Sequence, residues 1–331
     1  MTIAVFALGI GTATCTATIF HSAEALVLNM LRHHTPGDFV ITSAFREQGW
    51  MEAPLQRALA TELGGTDGVQ SVETERLLSV TFQDQPVLVR TLEPSAETTS
   101  DGRWLFVEGT PSAGSAMLAG EGVLVSRNFA RLFEVRPGGA INLAGPDGDA
   151  ELRVLGVVED FASPVGSVIM TRRALAALSH DDLVTYVYLT ARPGADQARV
   201  LRNIRDRVGG RYRLRILTIG DFLANAKNLV GQVFHFTRAV TGIVLLIAMV
   251  AVLQSLVSGA LEHRRILSIM RALGASRRQL RLTFVAQGAA LALVGTALGL
   301  IAGVGLSLLW IPLHLRYLLG WTIPIEWPWS T

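Results

Sequence analysis

The sequence predicts a membrane protein: an α-helical transmembrane bundle with three spans present, and a two-lobed α+β extracytoplasmic domain between spans 1 and 2. Three observations predict it. Half of the 331 residues are hydrophobic and 17% are charged, where a soluble domain has about a quarter charged. The apolar residues are concentrated, since residues 1–20, 239–261 and 284–311 contain no Asp, Glu, Lys or Arg. A run of about 20 such residues crosses a hydrocarbon core of roughly 30 Å. Finally, the short stretch 262–281 holds six arginines, Arg264, Arg265, Arg271, Arg277, Arg278 and Arg281, against the single acid Glu262.

That arginine-rich stretch sets the topology, because basic residues close to span ends are retained on the cytoplasmic side. With 262–283 cytoplasmic, span 239–261 runs inward and span 284–311 runs outward. The intervening domain then lies outside, and the first span runs outward ahead of it. The start, MTIAVFALGIGTATCTATIF, has no basic n-region and no small-residue cleavage site after it, which favours a membrane helix over a signal peptide. The expected divisions are 1–34 (span 1 and stalk), 35–218 (extracytoplasmic domain) and 219–331 (stalk, spans 2 and 3 and the cytoplasmic loop). The location is a cell inner membrane, multi-pass.

The middle region reads as mixed α and β. DFVITSA is strand-like, and 51–63 is read as a helix closed by Gly64-Gly65. VQSVETERLLSV, PVLVRTL and RWLFVEG are β-rich, and GEGVLVSRNFARLF is a strand leading into a helix. AINLAGPDGDAELRVLGVV makes two strands around Pro146-Asp147-Gly148, a turn signal. SVIMTRRALAAL is a strand and a helix with Thr171 as N-cap, LVTYVYLTA alternates as a strand, and ADQARVLRNIRDRVG is an amphipathic helix. From Ile219 to Arg238 a helical pattern leads without proline into the second apolar run, mirroring 20–34, so two stalk helices are expected.

Charge argues against nucleic acid as a partner: the net charge is +2, and residues 31–230 carry 21 basic against 24 acidic side chains. The one cysteine, Cys15, cannot form an intrachain disulfide. His180-Asp181-Asp182 has the residue types of a metal site but lacks a second ligand set at a useful spacing. Asp160, after a buried-looking strand, reads as a turn residue and not as a general acid or base. No G-x-x-x-x-G-K-[ST] loop occurs, so the chain is expected to hold no catalytic residues and no cofactor of its own. Gln254 and Gln287 lie within spans, where buried amides usually bond between helices. Gly295, Gly299 and Gly303 align on one helix face and would let another helix backbone approach closely.

The loop itself carries chemistry. Ile266, Ile269, Met270 and Leu273 recur at helical spacing, Gly274 can end that helix and Ser276 can cap the next. Such a short amphipathic helix can lie in the headgroups or fill a groove on a cytoplasmic partner. The segment RRILSIMRALGASRRQL resembles the cytoplasmic signature of the FtsX-like permease family, which includes the MacB and LolC/LolE type ABC transporters. The resemblance continues into the Gly-rich span and, more loosely, through GVLVSRNFARLFEVRPGGAINL and ELRVLGVVEDF. It implies an ATPase-coupling helix at Arg264, Arg265, Ile269, Met270, Arg271, Ala272, Leu273, Gly274, Ala275 and Ser276. Ile266 stands where the family usually has an acid, which removes one expected polar contact.

The resemblance implies a permease subunit that couples hydrolysis by a separate cytoplasmic ABC ATPase to movement of the outer domain. Its partners would include a second permease half or a homodimer partner, membrane lipids, and a periplasmic adaptor or substrate protein. A cell-division regulator of peptidoglycan hydrolases in the same family, or a membrane-anchored sensor, are the competing classes. The family has a further span after residue 311. Its absence, with the bare start at Met1, leads us to expect either a truncated gene product or the second half of a two-repeat permease.

Overall fold

The computed structural model describes residues 2–48, 51–96, 98, 102–160, 162–262, 276–311, 313, 325 and 327. Its contacts divide the chain into two compact units. One holds Val27–Ala226; the other holds Met1–Leu26 and Lys227–Leu318.

The first unit is built on one ten-stranded mixed sheet. Its strands are β1 (Phe39–Ser43), β5 (Val69–Phe82), β6 (Gln85–Glu93), β7 (Phe106–Glu108), β8 (Val123–Ser126), β9 (Ala140–Ala144), β10 (Asp149–Val158), β11 (Ser167–Thr171), β13 (Tyr186–Ala191) and β14 (Leu214–Thr218). The order runs β14-β1-β13-β5-β6-β11-β8-β10-β7, with β9 on β10. The short strands β2 (Arg46–Gln48) and β3 (Met51–Glu52) pair with each other, as do β4 (Leu55–Gln56) and β12 (Leu183–Val184). Most neighbours are antiparallel, while β6–β11 and β8–β10 are parallel.

Local sequence explains these elements. Strand β1, FVITS, is buried throughout, as a central strand covered on both faces must be. The hairpin β5–β6 runs in register from Thr74↔Glu93 to Phe82↔Gln85 and turns through Gln83 and Asp84, both at positive φ. The β9–β10 hairpin forms around the expected turn. Helix α6 (Gln197–Val208) buries Val200, Ile204 and Val208, one stripe at i, i+4 and i+8, and Asp196 caps it by accepting from the Ala198 N–H.

Three sequence expectations need correction. The helix read over 51–63 is α2 (Ala58–Gly64), because Pro54 disfavours helical backbone at Ala53 and the chain before it forms short strands. Helix α3 (Pro111–Leu118) and strand β14 were not foreseen. Thr171 does precede α5 (Arg172–Leu175), but its side chain makes no capping bond. Helix α4 (Arg127–Leu132), by contrast, is capped by Ser126, whose hydroxyl accepts from Phe129 N–H at 3.2 Å and also from Ser167 N–H at 2.9 Å.

The hydrogen bonding does not divide the strands into two lobes; the apolar core instead falls into separate clusters along one sheet. One joins Phe39, Ile41, Leu59, Leu63, Val187 and Ile204. Another joins Val89, Val125, Phe129, Leu143, Val168 and Met170, with Phe82, Phe129 and Phe133 at ring separations of 4.8–5.1 Å.

The second unit contains most of α1 (Thr2–His34) and α7 (Ile219–Glu262), and α8 (Arg277–Trp310). Among the described residues, two segments are long and apolar enough to cross a membrane, Ala239–Gly259 and Val285–Trp310.

Gly166 has φ +112°, and a Cβ there would lie 2.4 Å from the Phe129 nitrogen. Gly166→Ala should therefore lower stability by about 2 kcal/mol or more, against about 1 for Gly194→Ala, where φ is also positive but the space is open. Thermal unfolding of the two variants in the same detergent checks this.

Candidate functional site

Of the residues expected to meet an ATPase, Arg264, Arg265, Ile269, Met270, Arg271, Ala272, Leu273, Gly274 and Ala275 lie outside the described residues. Ser276 is described, and it starts α8 with a capping box: its hydroxyl accepts from Gln279 N–H at 3.2 Å, while Gln279 Oε1 accepts from Ser276 N–H at 2.9 Å. The next helix is thus given a fixed starting point.

Gly295, Gly299 and Gly303 are buried on α8. A Cβ at Gly299 would lie 2.7 Å from the Ala7 carbonyl, and one at Gly303 the same distance from the Gly11 carbonyl. The backbones of α1 and α8 therefore touch, at Gly11 on one side and Gly299 and Gly303 on the other. One turn on, Ser307 is buried and its hydroxyl donates to the Gly303 carbonyl at 2.8 Å. Gln254 and Gln287 are exposed on their helices, so the expected burial of these amides between helices of this chain is not found.

Among the described residues, a dense charged site lies in the sheet unit, of which the sequence singled out Asp160 alone. Arg90, on β6, is buried and donates from Nε to Glu75 Oε1 at 2.7 Å and from Nη1 to Asp160 Oδ2 at 3.1 Å. Each carboxylate is held by further donors. Glu75 accepts from the Tyr188 hydroxyl at 2.7 Å; Asp160 accepts from Ser167 Oγ at 2.5 Å and from Ala162 N–H at 3.0 Å. Asp160 is therefore more than a turn residue. The remaining neighbour is His34, the last residue of α1, whose Nδ1 is 3.5 Å from Arg90 Nη1. With Nδ1 facing a donor, the imidazole proton sits on Nε2, which is buried and has no partner among the described residues.

The electrostatics follow from burial and charge. Burial alone would lower the pKa of Arg90, but Asp160 and Glu75 overcome it and raise it. Burial alone would raise that of Asp160, yet Arg90, His34 and its two donors bring it down to about 2. Burial raises Tyr188, and the adjacent Glu75 adds to the rise. His34 is lowered to about 4, first by burial and then by the Arg90 charge, against the opposing pull of Asp160 and Glu75. At neutral pH the Arg90 guanidinium thus faces an ionised Asp160 and a neutral imidazole.

An open cavity of about 530 Å³ sits beside this region, lined among others by Arg32, His33, Ser71, Glu73, Thr98 and Arg103. Glu73 is engaged by Arg103 at 2.7 Å and by the Thr98 hydroxyl at 2.6 Å. The His180-Asp181-Asp182 segment is likewise tied into ion pairs. Asp181 bonds Arg76 at 2.9 Å, and Asp182 lies 3.5 Å from Arg172. Among the described residues no three metal-ligating side chains come together.

Comparison with known proteins gives two family matches that together cover most of the chain. Residues 1–207 match the MacB-like periplasmic core domain and residues 238–331 the FtsX-like permease C-terminal domain. An uncharacterized ABC transporter permease of Mycobacterium tuberculosis is 27% identical over 267 residues, 78% of this chain and 31% of that protein. An uncharacterized ABC transporter permease of Methanocaldococcus jannaschii is 23% identical over 180 residues, 53% of this chain and 44% of that protein. The chain thus spans less than half the length of either relative. Among solved structures, the periplasmic region of MacB from Actinobacillus actinomycetemcomitans matches with TM-score 0.41 at 11% identity, covering 60% of this chain and 96% of that one. The extracellular domain of the noncanonic ABC-type transporter YknZ from Gram-positive bacteria matches with TM-score 0.39 at 15% identity, covering 54% and 100%.

The His34 imidazole predicts an acid-sensitive stability. Its folded pKa lies below its ordinary value of 6.5, so the stability it contributes is complete above pH 6.5 and is lost as pH falls toward about 4. The loss across that window should be up to about 3 kcal/mol, from about 1.4 kcal/mol per pKa unit. His34→Gln should flatten the window, while the loss attached to Asp160 persists at lower pH, between 3.8 and about 2. Chemical denaturation at a series of pH values measures both.

Proposed function

This chain belongs to the family of ABC transporter permeases with a MacB-like periplasmic core domain and an FtsX-like permease segment, and we propose that it couples ATP hydrolysis by a separate ATPase to a conformational change of its extracytoplasmic domain. The change serves export or extraction of a lipid, lipoprotein, peptide or drug.

One observation carries the reading. The strand that follows α1 and the strand that precedes α7 are direct neighbours in the sheet, paired antiparallel from Phe39↔Thr218 to Ser43↔Leu214. Both apolar helices are therefore rooted at one edge of the same sheet, with five residue pairs between them and the Ile219 N–H bonded to the Asp38 carbonyl at 2.9 Å. A displacement of either helix relative to the other acts first on this pair of strands, and through them on a continuous sheet.

With α1 read as a third span beside the apolar segments Ala239–Gly259 and Val285–Trp310, the chain sits in a cell inner membrane with 35–218 outside the cytoplasm, a topology that this reading supplies. The six arginines of 262–281 favour a cytoplasmic loop. That loop receives the ATPase through the apolar stripe of Ile269, Met270 and Leu273 and the basic residues beside it. A second permease half or a second copy completes the transporter, and a periplasmic adaptor or a substrate protein engages the outer domain. ATP is bound by the partner and not by this chain.

Deleting residues 264–276 should abolish co-purification of the cognate ABC ATPase from detergent while leaving the chain in the membrane. Retention of the ATPase by the deletion variant would overturn this route of coupling.

A further inference from the structure

Four residues separate the end of α1 from β1, and the two ends of this link are held very differently. Asp38, next to β1, is anchored on several sides. Its N–H donates to the Leu189 carbonyl at 2.8 Å, and its carbonyl accepts from Ile219. Its carboxylate accepts from Ala191 N–H at 2.8 Å and Gln197 Nε2 at 3.2 Å. His34, at the helix end, is only 6% exposed, yet among the described residues its ring makes one polar contact with the sheet, at 3.5 Å from Arg90, and Nε2 is unpartnered.

The charged cluster on the sheet side is complete without the helix. Arg90 already has both carboxylates, and Tyr188, Ser167 and Ala162 hold those in turn. Removing His34 would leave no sheet charge unpaired and would let water reach both the imidazole and the guanidinium. Between the two ends lie Thr35, Pro36 and Gly37. Proline restricts its own φ and the backbone before it. Gly37 has φ +80°, and a Cβ there would lie 2.6 Å from the Leu189 carbonyl oxygen. The link is thus short and conformationally narrow, a hinge and not a tether.

We propose that His34 is a releasable pin. Docked on Arg90, it fixes the last turn of α1 to the sheet; undocked, it lets α1 swing about Thr35-Pro36-Gly37 while Asp38 and the sheet stay in place. His34 and Arg90 are then positioning residues for the coupling read above, on which this use of the pin rests.

The test uses the full chain in lipid nanodiscs with Cys15→Ser, and spin labels at Asn29→Cys on α1 and Glu121→Cys on the sheet unit. Both sites are exposed. The parent should give one narrow distance distribution. His34→Ala should widen it roughly twofold, as expected when a local contact is released without global unfolding. His34→Gln, whose amide oxygen can still accept from Arg90, should keep it narrow. A distribution in His34→Ala as narrow as the parent's overturns the proposal. Equal widening in Val200→Ala, a core variant away from the pin, also overturns it, since general loosening would then suffice. Adding the cognate ATPase and ATP separates the two claims. A parent distance that never responds to ATP sinks the coupling reading, while the resting distances still decide the pin.

Discussion

A guanidinium cannot be buried in a sheet unless carboxylates answer it, and Arg90 imposes that constraint on the sheet unit. Its charge obliges Glu75 and Asp160 to be present, and their remaining lone pairs oblige Tyr188, Ser167 and the Ala162 N–H to point inward. These groups come from β5, β6, β11, β13 and the segment after β10, so one cation ties together strands from both halves of the sheet order. Buried ion networks contribute little net stability compared with an apolar core. What this one supplies is geometry: it holds β6 in register with neighbours that differ in direction on its two sides.

The same network explains why the helix end is only lightly attached. A histidine beside a saturated cation finds no strong partner, so burial and the Arg90 charge both keep it neutral. The root of α7 is different. It continues directly from β14, whose five residues pair with β1, so it is held by backbone hydrogen bonds and not by a side-chain contact. The start of α7 is thus part of the sheet, while the end of α1 is joined to it through a short link and, among the described residues, one polar contact of the His34 imidazole.

Much of this organisation was legible in the sequence, and the limits are physical. Charge-free runs and the arginine cluster are one-dimensional signals, so the apolar helices could be read directly. The same holds for α6, where Val200, Ile204 and Val208 repeat at helical spacing, and for the β9–β10 hairpin, where the turn residues are local. The Arg90 cluster was not legible, because Arg90, Glu75, Asp160, Tyr188 and His34 are far apart in sequence and each is unremarkable alone. Asp160 reads as a turn residue until Arg90 is placed beside it. Residues 111–118 also hid a helix, since PSAGSAML shows its Pro start only weakly among small residues. The sheet's continuity could not be inferred either, because pairing order is a tertiary property that strand patterns do not encode.

The glycine face on α8 shows the same boundary between local and tertiary information. Its four-residue repeat marks a surface for close approach, but not which helix approaches. The answer lies in two glycines of α1 that carry no repeat. Gly11 meets Gly299 and Gly303, while a Cβ at Gly9 would lie 3.4 Å from Ala248 on α7. Two residues on a helix are turned by about 200°, so Gly9 and Gly11 face nearly opposite ways, and α1 lies between α7 and α8. At Gly9 and Gly11, α1 presents backbone to its neighbours. Its hydroxyls are accommodated by bonding back to their own helix, as Thr12, Thr14 and Thr18 do with carbonyls three or four residues earlier. Large apolar side chains such as Leu246, Val250 and Leu253 of α7, and Leu293 and Ile301 of α8, instead face outward. In hydrocarbon such surfaces gain nothing by meeting each other, so association depends on backbone proximity. Gly9 and Gly11 of α1 are what permit that proximity on two sides at once.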